Sequence, residues 1–154
     1  FNIGAKKGKK APEEHWLYIT KSRVGFHRVG FYSNVDDSFL PKNTRGSADR
    51  FSIYVEKAYL PHNKPSNEEI DRMGRDVVLE LQDWGFIEEA EVISPTWVDN
   101  GYTWQTPGSN WKQGALEILQ ENDIFSTGRY GKWKFQGVSE SVSDGLLMKE
   151  TING

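Results

Sequence analysis

Two arginines in this chain have neighbours suited to handling an anion. Arg129 lies in the run Gly128-Arg129-Tyr130-Gly131-Lys132-Trp133-Lys134-Phe135. The run reads as a glycine-flanked arginine on a short alternating strand, leading to a helix that opens among Ser139, Ser141 and Ser143. Strand, tight turn and helix N-terminus leave backbone N–H groups unpaired, a setting for an electron-rich ligand. The same residues also fit a plain strand-to-helix connection with an exposed arginine. Arg28 sits between His27 and Val29 in a mostly apolar stretch. A guanidinium inside a sheet needs a partner, either a structural carboxylate such as Glu56 or Asp49, or a bound carboxylate or phosphate. If two strands pair around Lys21–Arg23, Tyr18 falls near Arg28 on one sheet face, in the manner of a phosphate clamp.

Other chemistry is thin. His15, His27 and His62 show no metal-ligand spacing and read as structural. There is no cysteine, so disulfides and thiolate chemistry are excluded. Glu13-Glu14, Asp36-Asp37 and Glu88-Glu89 are adjacent in sequence, and such neighbours point to opposite faces of an extended chain. No Gly-x-Ser-x-Gly elbow is present. We therefore assign no catalytic residue and no metal ligand.

The elements that must position the two arginines follow from periodicity. Trp16–Thr20 and Val24–Ser33 read as a hairpin or adjacent antiparallel strands, and 36–47 as a surface loop. Phe51, Ile53 and Val55 alternate with Ser52, Tyr54 and Glu56, the period of a half-buried strand. After a break at Pro61–Pro65, Ser66 and Glu69 form a capping box for a helix with Ile70, Met73, Val77, Leu81 and Trp84 on one face; Gly85 ends it. Residues 86–97 resume an extended pattern, 101–108 form a loop, and Ser109 opens a second helix through Trp111 and Leu119. A third helix begins near Val142. The fold class is α+β, a mostly antiparallel sheet with about three helices packed on it. No Gly-x-Gly-x-x-Gly fingerprint follows a strand, so the chain lacks its own dinucleotide-binding crossover.

A length of 154 residues fits one domain. Net charge of −3 argues against a general nucleic-acid binder, although Lys6, Lys7, Lys9 and Lys10 cluster in what reads as a solvated loop. No apolar run is long enough to span a membrane and no secretory signal is visible, so a cytoplasmic location is expected. The start at Phe1-Asn2-Ile3-Gly4, apolar and without methionine, reads as a cut through a longer protein.

His15-Trp16-Leu17-Tyr18, Gly25-Phe26-His27-Arg28-Val29, Phe31-Tyr32-Ser33-Asn34 and Pro41, with the Gly128–Phe135 block and Ser141–Gly145, resemble FAD-dependent amine-oxidase-like proteins. They are most similar to the UDP-galactopyranose mutase and protoporphyrinogen-oxidase-like branch. The resemblance implies the substrate domain of an FAD-linked oxidoreductase or mutase relative, without its Rossmann part. Residues 1–127 would form a substrate-binding sheet with helices, and 128–154 a flavin-contacting strand and terminal helix. It implies FAD contacts by Gly128, Arg129, Val138, Ser139 and Ser141. Tyr18 and Arg28 would hold an anionic substrate, possibly a nucleotide sugar, with Tyr102, Trp104 and Phe135 lining the substrate side. The resemblance implies as partner the chain's own N-terminal Rossmann-type FAD domain, docked along Phe1–Gly4 and the last helix, and without it FAD would bind poorly or not at all. Phe135 departs from the mutases, which carry a diphosphate-binding tyrosine there, and an aromatic-proline step of the family has no match in Tyr102-Thr103-Trp104-Gln105.

Thirteen per cent aromatic residues, including six tryptophans, also fit a free-standing carbohydrate-binding module, or an interaction domain whose aromatics are core. Exposure of Trp16, Trp104 and Trp133 separates these readings.

Overall fold

Alternation along one strand sets the architecture. In the computed structural model, which describes residues 1–60 and 62–153, β4 (Arg50–Glu56) buries Phe51, Ile53 and Val55 and turns Arg50, Ser52, Tyr54 and Glu56 to the other side. It is flanked by β1 (Asn2–Lys7) and β3 (Arg28–Phe31); β2 (Trp16–Tyr18) and β5 (Ile87–Ser94) form the edges. The order is β2-β3-β4-β1-β5, and every pairing is antiparallel. The expected α+β class with an antiparallel sheet is what forms. Pro61 of the expected break, and Gly154, lie outside the described residues.

The chain divides into two compact units, residues 1–97 and 98–154. In the first, β3 is shorter than the expected strand Val24–Ser33: Tyr32 and Ser33 open α1 (Tyr32–Val35), and a 3₁₀ turn (Asp37–Phe39) follows within the expected loop 36–47. The long helix α2 (Asn67–Asp83) packs Val77 and Leu81 into a core with Ile3, Ala5, Val29, Phe31, Phe51, Ile53 and Ile87. Both ends of α2 are as its sequence predicts. Ser66 Oγ accepts from the Glu69 N–H, and Glu69 Oε2 accepts from the Ser66 N–H at 2.8 Å. At the other end Gly85 has φ +76°, and the N–H groups of Gly85 and Phe86 reach back to the carbonyls of Gln82 and Leu81, a Schellman closure. A side chain at Gly85 would be strained in that left-handed conformation.

The bond from the Ser66 backbone N–H holds the Glu69 carboxyl below its usual range. The sign follows directly. A carboxyl whose folded value is depressed adds stability that is present above the ordinary glutamate range and lost as pH falls through the folded value. Thermal unfolding of Glu69→Gln, from neutral into acidic pH, is therefore expected to lack part of the wild-type acid destabilisation. Parallel curves for the two proteins would contradict this role.

In the second unit, α3 (Trp111–Glu121), α4 (Gly128–Gly131) and α5 (Val138–Asn153) form. Three expectations are corrected here. The 128–135 strand is absent: Gly128–Gly131 is one helical turn, and Gly128 and Trp133 have φ of +75° and +44°. Two glycines weaken a strand, and among the described residues 98–154 contain no other strand to pair with. The second helix starts at Trp111 after Asn110, not at Ser109, and the last starts at Val138, not near Val142. In the first unit, Lys6 and Lys7 belong to β1 and not to a loop.

Candidate functional site

The face of the sheet opposite α2 carries the first cluster. Register places Tyr18 across from Arg28 and Arg28 across from Glu56. The neighbouring row runs Trp16, Gly30, Tyr54, Asn2. Gly30 leaves room for the Tyr54 side chain there: a Cβ would sit 1.9 Å from Tyr54 Cε1, so the ring would have to move. Arg28 Cζ is 5.9 Å from the ring centroids of both Tyr18 and Tyr54. Arg28 Nη2 donates to both oxygens of Glu56 at 2.6 Å. Of the two alternatives for Arg28, the structural carboxylate is present as Glu56, and the guanidinium also stands beside Tyr18. The Arg28 side chain is 25% exposed and Tyr18 69%, so this charge is partly desolvated yet reachable. Burial pushes the Tyr54 phenol above its usual range, which keeps it a neutral hydrogen-bonding group.

Sequence reasoning reached Tyr18, Arg28 and Glu56 but not Tyr54 or Gly30. The signal was available: in alternating β4, Tyr54 shares the Glu56 face, and the glycine inside β3 marks a close approach.

The second cluster is built on α4. Arg129 is sandwiched between aromatic rings, its Cζ 4.8 Å from the Phe135 centroid and 5.5 Å from Tyr102. Its Nε and Nη2 are buried and have no hydrogen-bond partner among the described residues. Tyr102 and Phe135, expected to line the substrate side, are thus brought to Arg129. Trp104 contributes its carbonyl, accepting from Trp133 Nε1 at 2.8 Å, while Trp104 itself is 69% exposed. Tyr130 donates to the carbonyls of residues 100 and 101, and Trp133 packs edge-on against Trp111 and Tyr130.

At the start of α5, the Gly137 N–H donates to Glu140 Oε2 at 2.7 Å. Ser141 Oγ donates to the Gly137 carbonyl and accepts from Gln136. Its hydroxyl is therefore engaged internally, whereas Val138 and Ser139 are exposed. Asp144 pairs with Lys132 at 3.0 Å, and that hydrogen bond holds its carboxyl below the usual range. Val138, Val142, Leu146 and Leu147 are all exposed, and none of the buried apolar residues comes from 98–154 among the described residues.

A cleft of about 500 Å³ in the first unit lies between α2 and the Arg23–Val24 turn and is lined also by Lys57, Glu69 and Arg72. Its charges are of both signs, and it includes neither Tyr18 nor Arg28. No group of side chains among the described residues could hold a metal ion, and no described helix is long and apolar enough to cross a membrane.

No known family's sequence profile matches this chain, and no curated protein matches it. Its fold is shared with solved structures, among them the crystal structure of reduced UDP-galactopyranose mutase, at TM-score 0.61 and 23% identity. That match covers 87% of this chain and 28% of the other, so the chain spans little more than a quarter of the protein it resembles. The likeness defines a class of architecture, an α+β fold with an antiparallel sheet and helices.

Proposed function

We propose that this chain is the substrate-binding and flavin-contacting part of an FAD-dependent oxidoreductase or of a sugar-nucleotide mutase relative. The observation that carries the reading is the Tyr18–Arg28 pair, in register on an open sheet face, within a fold shared with UDP-galactopyranose mutase. Tyr18 and Arg28 hold the anionic part of the substrate: the guanidinium supplies charge and the phenol a hydrogen bond. Glu56 fixes the guanidinium and tempers its charge, so a phosphate gains less here than at an isolated arginine.

The second cluster fits FAD on one concrete ground. Arg129 has two buried donors without an acceptor among the described residues, and a buried donor left unsatisfied is costly unless a ligand completes it. In this reading Gly128 and Arg129, with the exposed first turn of α5 at Val138 and Ser139, face the flavin. Ser141 supports that turn from behind. Residues 1–127 serve the substrate and 128–154 the flavin. FAD, when bound, supplies the electron-transfer or nucleophilic chemistry. This chain orients the substrate and places a guanidinium and amide dipoles where negative charge is stabilised. The exposed apolar residues of α5 are the surface on which a Rossmann-type FAD domain docks.

UDP titrated onto the chain tests the anion site. Arg28→Ala is expected to weaken UDP by about fivefold to tenfold, the loss of one charge-assisted contact already shared with Glu56. Equal affinity for wild type and variant would remove the clamp. A second reading, a module for neutral glycans, is favoured by the exposure of Trp16 and Trp104. Glycan binding that survives Arg28→Ala and is lost in Trp16→Ala would support it instead.

A further inference from the structure

We propose that Glu80 is a positioning residue for the anion site, holding the turn that sets where Tyr18 stands. Glu80 lies on α2, remote in sequence from Tyr18, and is only 1% exposed. It has no ion-pair partner among the described residues. Its charge is met by the turn joining β2 to β3: Oε1 accepts from the Arg23 N–H at 2.7 Å. Oε2 accepts from Ser22 Oγ at 2.9 Å and from the Val24 N–H at 3.1 Å. A carboxylate surrounded by backbone amides is a strong local anchor. Arg23 turns its guanidinium away, to Asp83, and Lys57 donates to the Val24 carbonyl, so the same turn is also tied from β4's end.

This anchor matters for Tyr18 because β2 is short: apart from its pairing with β3, Leu17 and the following Ile19 are what pack it against the core. It is a three-residue edge strand paired only with β3. Beyond Tyr18 the pairing continues with one bond, from the Ile19 N–H to the His27 carbonyl. The opposite end is tied by Asn34, whose Nδ2 donates to the carbonyls of Pro12 and Glu14. Asn34 and Glu80 thus hold β2 from its two ends, with Tyr18 nearer the Glu80 end. A glutamine at position 80 keeps one acceptor oxygen and puts an NH₂ donor where an N–H or O–H now finds an acceptor. At least one donor of the turn is then unpaired, and the strand end loosens.

The inference rests on the anion-binding reading of Tyr18 and Arg28, and its test is UDP titration combined with amide hydrogen exchange on the full chain. Glu80→Gln is expected to weaken UDP by about fivefold, as the loss of a charged hydrogen-bond anchor allows, and to speed exchange selectively within residues 17–25. In a Tyr18→Ala background the same substitution is expected to leave UDP affinity unchanged, because the effect runs through Tyr18. Val77→Ala, buried on α2 but away from the turn, should lower stability without changing affinity. Should Glu80→Gln fold poorly, Ser22→Ala removes one donor and should show a smaller loss in the same direction. Wild-type affinity in Glu80→Gln overturns the proposal. So does a loss matched by Val77→Ala, or one that persists without Tyr18. Failure of the underlying reading looks different: the wild-type chain then binds no UDP, and both fall.

Discussion

Phe31→Ala is expected to lower the unfolding free energy by about 3–5 kcal/mol, the range for deleting a large buried aromatic from a close-packed core. Phe31 is fully buried in β3, next to the central β4, its ring 5.2 Å from Phe51 and 6.3 Å from Phe86 between centroids. Those neighbours lie on β4 and on the segment after α2, so the cavity would sit between sheet and helix where neither can collapse alone. The transfer of the lost ring accounts for about 1.5–3 kcal/mol, and the unrelaxed cavity for the remainder. Phe135→Ala is the natural contrast. Phe135 is 71% exposed, and its removal, which costs its contact with Arg129, should lower stability by no more than about 1 kcal/mol. Denaturant unfolding of both variants decides it. A loss below about 1 kcal/mol for Phe31→Ala would mean that the core is not where the fold places it.

Arg129→Ala is expected to weaken FAD binding by about 10–100-fold in the protein expressed with its natural flanking sequence, corresponding to loss of hydrogen bonds from a charged donor. The physical basis is the state of the guanidinium. Phe135 and Tyr102 stack on it, favouring the cation through their ring faces, while Nε and Nη2 lack acceptors among the described residues. In the proposed function, the flavin supplies the acceptor for these donors. Lysine should not rescue, because it offers a point charge in place of a planar pair of donors. The reduced flavin should be affected more than the oxidised one, which a shift of the flavin potential in the variant would register. Unchanged affinity and potential would disconnect Arg129 from the cofactor.

Much of the first unit was legible because its signals are local and agree. Phe51–Ile53–Val55 alternation, the Ser66–Glu69 box and Gly85 each state their structure within a few residues, and tertiary packing reinforces them. Tyr18 and Arg28 were legible as neighbours because a hairpin fixes which residues face one another. Glu80 was missed although it stands on the apolar stripe of α2, between Val77 and Trp84. A charge on a buried stripe is a sign of a buried anchor, but its partners lie in a turn that helix periodicity does not reach. The second unit was read less well. Gly128–Phe135 has the alternation of a strand, yet a strand is made by its ladder partner, and none is present in 98–154 among the described residues. The helix boundaries there shifted because Asn110 and Gly137 cap without side-chain bonds of their own, so Ser109 and the later serines were misleading signals.

The most direct measurement is the visible absorption spectrum of the polypeptide expressed with its natural flanking residues and purified, before and after adding UDP. The account predicts a bound flavin spectrum that UDP perturbs in the wild type, with the UDP concentration needed for half the change raised about fivefold to tenfold in Arg28→Ala. A colourless protein that gains no colour from added FAD, or a flavin spectrum indifferent to UDP, would contradict it.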